Sequence, residues 1–242
     1  MQEIHNVALI IPTLNEERNI AMILHELKQL GYRKILVVDG NSTDGTVAAA
    51  KDSGAHVFIQ EGKGKGVALR QAFDSHAVDF DFAVIMDADG SMNPKEIDSL
   101  VDVLASGADV AKASRFLPGG FTEDMSTIRR IGNTLFVSLV NALWSSNYTD
   151  LCYGFAAFRK DALVKLSPLL KSKNFEIETE VFIKLQRLGL TVVEVPSGEL
   201  RRKYGKSNLH SFKDGFRILR AILDELLDDL ASGEPSNRLN NH

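Results

Sequence analysis

Short apolar runs alternate with longer stretches of helical periodicity through the first 115 residues. Val7 to Ile11 is continuously apolar and rich in β-branched residues until Pro12 closes it, the pattern of a parallel strand buried on both faces. From Glu16 to Leu30 the period changes. Ile20, Ile23, Leu24, Leu27 and Leu30 recur at helical spacing, with Asn15 placed to cap the helix and Gly31 to stop it. A second strand is predicted over Lys34 to Val38, ending on Asp39, and the turn Gly40-Asn41-Ser42-Thr43-Asp44-Gly45 leads into a helix through Lys51. His56 to Ile59 reads as a third strand, Gly62 to Gly66 as a loop and Val67 to Ser75 as a helix. Phe82 to Met86 is the next strand, followed by a helix opened by Asn93-Pro94, with inner face Ile97, Leu100, Val101 and Leu104. Asp109 to Ala113 is a further strand.

Strands and helices alternating at this spacing predict an α/β fold, a mostly parallel sheet with helices on both faces. Asp39, Asp87 and Asp89 then all stand at carboxyl ends of strands. They should converge on one crevice, because open parallel sheets bind ligands there.

The pattern shifts after Arg115. Pro118-Gly119-Gly120 opens a loop, and a helix is predicted from Ser126 to Ser145. Ile131, Leu135, Phe136, Leu139, Val140, Leu143 and Trp144 fall on one side of it, with Asn133, Thr134, Ser138 and Asn141 mainly opposite. That stripe packs either on the protein's own core or at a membrane surface beneath Arg129 and Arg130. The last helix, Phe212 to Leu230, carries Phe216, Leu219, Ile222, Leu223, Leu226 and Leu230, and acidic residues Asp224, Glu225, Asp228 and Asp229 that disfavour anionic lipid there. The polar segment from Ala231 to His242 is expected to be disordered.

Composition narrows the classes. With 44% hydrophobic and 25% charged residues, the 242-residue chain is that of an ordinary globular protein, and its formal charge of -4 argues against a nucleic-acid binder. Cys152 is the single cysteine, so no intrachain disulfide forms. No apolar leader follows Met1-Gln2-Glu3 and no run approaches the length of a membrane span, so a cytoplasmic protein with at most peripheral membrane contact is expected.

Asp87-Ala88-Asp89 offers two carboxylates at a strand end, able to share a divalent cation that would neutralise a diphosphate, although acidic pairs also shape ordinary turns. In Pro12-Thr13-Leu14-Asn15-Glu16 the backbone and Glu16 can hold a base or ribose, or the segment is a plain helix cap. Asp39 can accept from a ribose or a base edge, and Asp44 can shape the turn. The Gly62-Lys63-Gly64-Lys65-Gly66 loop lacks the spacing of a Walker loop and reads as a flexible, nucleotide-facing segment. Arg115, ending a strand, is placed for a diphosphate or a surface ion pair. Arg129-Arg130 and Arg201-Arg202-Lys203 add two cationic clusters. The six histidines show no metal-ligand spacing and no hydrolytic triad.

In order and context, Pro12 to Glu16, Val37 to Thr46, Gly64-Lys65-Gly66 and Asp87-Ala88-Asp89-Gly90 resemble the family 2 nucleotide-sugar glycosyltransferases of the GT-A fold. Ser114-Arg115, Arg129-Arg130, Asp150 with Gly154-Phe155, Phe175 to Glu180 and Arg202 to Ser207 are similar to the polyprenyl-phosphate sugar synthases within that family. The resemblance implies one glycosyltransferase domain over residues 1–230, with a nucleotide-sugar-binding half at 1–115 and an acceptor half at 116–230. It implies that Pro12, Leu14, Glu16, Val37 and Asp39 line the nucleotide pocket. Asp87, Ala88 and Asp89 would hold the donor diphosphate through Mg2+ or Mn2+, with Ser91 standing where those synthases commonly carry a metal-contacting glutamine. Asn208 replaces their usual phosphate-binding lysine, and Tyr153 and Ala156 alter the segment around Gly154. Arg115 and Arg202 would meet phosphates, and Arg129 and Arg130 the lipid phosphate. The implied activity is inverting transfer of mannose or glucose, from GDP-mannose or UDP-glucose, to a polyprenyl phosphate. Two alternatives are a soluble glycosyltransferase acting on a hydroxyl, with Asp150 as first candidate base, and a catalytically silent nucleotide-sugar-binding module.

Overall fold

The computed structural model describes residues 6–74 and 79–232 of the chain. His5, Ser75, His76, His242 and the polar tail from position 233 lie outside the described residues. In the first half the elements run β1 (Val7–Thr13), α1 (Glu17–Gln29), β2 (Lys34–Asp39), α2 (Thr46–Asp52), β3 (His56–Ile59), α3 (Lys65–Asp74), β4 (Phe82–Ile85), α4 (Ile97–Ala105) and β5 (Val110–Ser114). The second half adds β6 (Phe121–Thr122), α5 (Thr127–Trp144), β7 (Ala156–Arg159), α6 (Lys160–Leu166), α7 (Ile177–Arg187), β8 (Val192–Pro196), β9 (Gly198–Glu199) and α8 (Ser211–Ser232).

Seven strands form the main sheet in the order β3-β2-β1-β4-β7-β5-β8, and β6 pairs with β9 in a small ribbon beside it. Every main-sheet pairing is parallel except those of β7, which runs antiparallel between β4 and β5. From β1 the chain winds outward through β2 to β3, then returns to place β4 on the other side of β1. The order therefore reverses between β1 and β4, and the loops leaving their carboxyl ends diverge to open a crevice.

Side chains alternate across the sheet, so Leu9 and Ile11 join α1 and α4 in one core cluster. Ile10, Leu36, Val38 and Ile85 face the opposite way and pack with α3 and α5 through α8. Of the apolar positions expected on α1, Ile20, Ile23, Leu24 and Leu27 are buried, whereas Leu30, just past the end of the helix, is 41% exposed. Asn15 does not cap α1. It takes a positive φ of 56° and its side chain accepts from Thr43 N at 2.8 Å, tying the β1 and β2 loops together.

On α5 the buried positions are Asn133, Val140 and Trp144, whereas Ile131 and Leu135 of the expected apolar stripe are more than half exposed. The helix is turned by Asn133, whose Oδ1 accepts from Leu151 N and Cys152 N at 3.1 Å and supplies a partner those buried amides need. A similar rotation applies to α8. Ile218, Ile222 and Glu225 face inward, and Phe212, Phe216, Leu219, Leu223, Leu227 and Leu230 form an outward stripe. Its inner face is partly ionic: Lys184 and Arg187 of α7 each approach Glu225 at 2.7 Å, and Trp144 Nε1 donates to Asp229 at 2.7 Å.

Gly64 and Gly66 are required by packing. A Cβ on Gly64 would stand 2.2 Å from the Lys173 carbonyl oxygen, and one on Gly66 2.6 Å from that of Ser172. The loop at 171–174 is held in that approach by Glu180, which accepts from Lys171 N and Ser172 N, and by Glu176, which accepts from Lys173 N and Asn174 N. Gly64 also has φ of +109°. Gly64→Ala is expected to lower stability by about 2–3 kcal/mol through strain and overpacking, read as a reduced urea midpoint at unchanged m.

Candidate active site

The carboxyl ends of β1, β2 and β4 bring Glu16, Asp39, Asp87 and Asp89 to one edge of the sheet. Asp39 is buried and occupied by its own turn: Ser42 N and Oγ donate to it at 2.8 and 2.6 Å, and Thr13 Oγ1 at 3.3 Å. It shapes the pocket wall. Pro12 pairs with Val38 in the sheet and Leu14 projects to solvent at 39% exposure. Val37 is fully buried within the core on the α1 side of β2, so its side chain does not reach the crevice.

Glu16 is also buried. Asn19 Nδ2 donates to its carboxylate at 2.6 Å, and Arg202 Nη1 contacts both oxygens at 2.7 and 2.8 Å. Burial pushes the Glu16 carboxyl up, against the opposing pull of Asn19 and Arg202. Arg202 Nη2 stands 3.4 Å from Asp89 Oδ2, so one guanidinium spans the two carboxylates, and its Nε is buried without a hydrogen-bond partner among the described residues. The segment bearing Arg202 lies across the crevice, with Leu200 N donating to Ser91 O, Lys203 N to Asp89 O and Asn19 Nδ2 to Tyr204 O.

Asp89 Oδ1 accepts from Ser91 N at 2.9 Å, the Asx turn expected of a strand-end aspartate, and Ala88 beside it is buried. Asp87 faces a different cation. Lys65 Nζ lies 2.6 Å from Asp87 Oδ1 and 2.6 Å from Glu178 Oε1, with its side chain 8% exposed. Burial pulls the Lys65 ammonium down, but Asp87 and Glu178 outweigh it and hold it above the ordinary lysine range. The Glu178 carboxyl is pushed up by the same burial.

Arg115 and Asp150 form a second network. Arg115 Nε donates to Asp150 Oδ2 at 2.7 Å, Nη2 to Asp150 Oδ1 at 2.9 Å and to the Cys152 carbonyl at 2.9 Å, and Nη1 to Glu199 Oε1 at 3.0 Å. Arg115 is 5% exposed and its guanidinium faces these groups, not open crevice. Burial raises the Asp150 carboxyl, yet Arg115 more than reverses this and holds it below the usual carboxylate range, which makes it a weak base. Burial pushes the neighbouring Cys152 thiol up to about 12, so it is no nucleophile near neutrality. Arg129 opens α5 and reaches α8, donating to Ser211 Oγ and the Leu209 carbonyl. Arg130 is exposed and stacks over Phe116, whose other neighbour is Arg115.

Asn19 escaped the sequence reading, and Lys65 and Glu178 entered it only within longer motifs, without their pairing with each other. Lys65 is flanked by two packed glycines, and Glu178 lies two residues from each of Glu176 and Glu180, hence on another face of the helix start.

The family model for glycosyl transferase family 2 matches residues 8–167. The chain is a family 2 glycosyltransferase. Glycosyltransferase AglJ of Haloferax volcanii is 32% identical over 213 residues, covering 86% of this chain and 68% of that protein. The polyprenol monophosphomannose synthase of Mycolicibacterium smegmatis is 32% identical over 214 residues, covering 83% and 80%. Among solved structures, glucosyl-3-phosphoglycerate synthase from Mycobacterium tuberculosis with Mn2+, UDP-glucose and phosphoglyceric acid superposes with a TM-score of 0.74 at 22% identity, covering 92% of this chain and 80% of that one. Together with the sheet order, this likeness assigns the glycosyltransferase the GT-A fold.

For this glycosyltransferase, Asp150→Asn is expected to cost roughly 3–5 kcal/mol, because it leaves the Arg115 guanidinium buried with half its charge partner removed. The stability contributed by Asp150 is complete above its ordinary value of 3.8 and is lost as pH falls through its lower folded value. Urea melts from pH 5 down to pH 2 should therefore show a shallower acid decline in the Asn variant than in the wild type.

Proposed function

We propose that this glycosyltransferase transfers a hexose, mannose or glucose, from a nucleotide diphosphate sugar such as GDP-mannose or UDP-glucose to a polyprenyl phosphate, with inversion, at the cytoplasmic face of a membrane. The observation that carries this reading is Asp89 at the β1–β4 switch point, where Oδ1 accepts from Ser91 N and Oδ2 faces a guanidinium borne on a loop. Several relatives are named for polyprenyl-phosphate chemistry, which supports the acceptor class.

Asp87 and Asp89 supply carboxylate oxygens alone, a donor set suited to hard Mg2+ or Mn2+. Arg202 already stands where a cation would meet Asp89. Among the described residues no group of three or more histidines, cysteines or acids is placed to hold a metal, so the donor diphosphate and water would complete the coordination. A bound cation would neutralise charge building on the leaving diphosphate. The chain's residues then position the reactants: Glu16 and the β1 turn meet the nucleoside, and Arg202 follows the phosphates once Glu16 releases it. A phosphate oxygen of the acceptor attacks the anomeric carbon as its bond to the diphosphate oxygen breaks. The acceptor is ionised near neutral pH and needs no base. That fits a site in which Asp150 is locked to Arg115.

The outward stripe of α8, with Ile128, Ile131 and Leu135 of the adjoining α5, supports docking on a lipid surface. The acidic residues of α8 oppose this less than their number implies, because Glu225 and Asp229 pair inward. No helix among the described residues is long and apolar enough to cross a membrane.

Asp89→Ala should reduce transfer from the donor to polyprenyl phosphate by roughly 1,000-fold, and chelation should do the same to the wild type. Activity that survives both would sink the metal-assisted mechanism, and turnover with sugar hydroxyls but not lipid phosphate would favour a soluble transferase. Phe212→Ser/Phe216→Ser should weaken vesicle co-sedimentation by about tenfold or more at unchanged melting temperature, whereas unaltered binding would remove α8 from the membrane contact.

A further inference from the structure

Two cations share four carboxylates at the crevice, and they are held very differently. Arg202 sits on a segment without regular secondary structure and grips Glu16 and Asp89 through its planar fork. Lys65 sits in the first turn of α3, beside the packed glycines, and Asp87 and Glu178 each contact it at 2.6 Å. The Phe175 ring approaches its ammonium at 5.8 Å, and the absence of a Cβ on Gly154 leaves room for the pair, since one would lie 2.7 Å from Glu178 Oε1 and 2.8 Å from Lys65 Nζ. Arg202 can leave by moving a loop. Lys65 is rooted at the start of α3, where the flanking glycines pack on the 171–174 loop, and its ammonium is held from two sides.

We propose that Lys65 is the resident counter-cation of Asp87, clamped there by Glu178, so that a divalent cation gains only Asp89, by displacing the loop-borne Arg202, and binds appreciably only when a diphosphate brings further ligands. Lys65 and Glu178 are thus positioning residues that couple metal binding to donor binding. The inference rests on the metal-assisted transfer proposed for this site. Its physical basis is direct: an ammonium 2.6 Å from a carboxylate oxygen competes with any cation for that oxygen and repels one placed beside it. Removing the ammonium should free Asp87 to join Asp89.

The test is Mn2+ retention by the purified full chain, read from the electron paramagnetic resonance signal of free Mn2+, with and without UDP or GDP. The wild type should retain Mn2+ weakly alone and strongly with the nucleotide. Lys65→Met should bind Mn2+ without nucleotide about tenfold or more tightly than the wild type, shrinking the effect of the nucleotide. Lys65→Met/Glu178→Gln should do the same without leaving a buried unpaired carboxylate, and circular dichroism checks that both variants are folded. Equal Mn2+ affinity without nucleotide in the wild type and in the folded double variant would overturn the role of Lys65. A wild type that retains no Mn2+ even with UDP and GDP would instead overturn the metal-assisted reaction, whatever the variants show.

Discussion

Charge balance at the carboxyl edge of the sheet is the constraint on which the rest of the site depends. Glu16, Asp87, Asp89 and Glu178 arrive there from two loops and the start of a helix, and gathered in a partly buried crevice they would repel one another and lose hydration. Lys65 and Arg202 make the cluster tolerable. Each cation is supplied by a separate feature of the fold, Lys65 by the glycine-flanked start of α3 and Arg202 by the segment after β9. The topology therefore gathers acids at the β1–β4 switch point, and more distant parts of the chain provide their counter-ions.

A second layer of ion pairing supports the first. Arg115 ties the end of β5 to Asp150 and, through Glu199, to the β6–β9 ribbon, and the ribbon leads directly into the Arg202 segment. Glu225 and Asp229 do comparable work on α8, anchoring it to α7 and α5 by its polar side and leaving its apolar side outward. Buried pairs of this kind are costly to break and add little over a well-packed apolar contact. Their effect here is on orientation: they decide which face of α8 meets solvent and which way Arg115 points.

Much of the fold was legible because the first half follows simple periodicities. Runs such as Val7 to Ile11 and the spacing of Ile20, Ile23, Leu24 and Leu27 state their burial directly. β7 was not legible, since Ala156-Ala157-Phe158-Arg159 is too short and too weak in strand propensity to announce an antiparallel strand inserted between parallel ones. On α5 most of the expected stripe, Phe136, Leu139, Val140, Leu143 and Trp144, packs on the core, and only Ile131 and Leu135 are turned out. On α8 helical periodicity identifies the apolar stripe, but it cannot foresee that Glu225 finds its partners inside and leaves most of that stripe outward. Site residues at strand ends, such as Asp39, Asp87 and Asp89, were readable from topology. Lys65 and Glu178 were not, because their pairing spans 113 positions of sequence.

The structure portrays a crevice closed by its own cations, which in the proposed reaction a nucleoside diphosphate and a divalent metal would reopen. The most direct measurement is an anomalous difference map at the manganese edge, from crystals grown with Mn2+ and UDP or GDP. A peak within coordinating distance of an Asp89 carboxylate oxygen, with Arg202 moved off Glu16 onto the diphosphate and Lys65 still between Asp87 and Glu178, is the predicted result. A nucleotide bound away from the β1–β4 crevice, or bound there with Arg202 still on both Glu16 oxygens and no metal at Asp89, would contradict it.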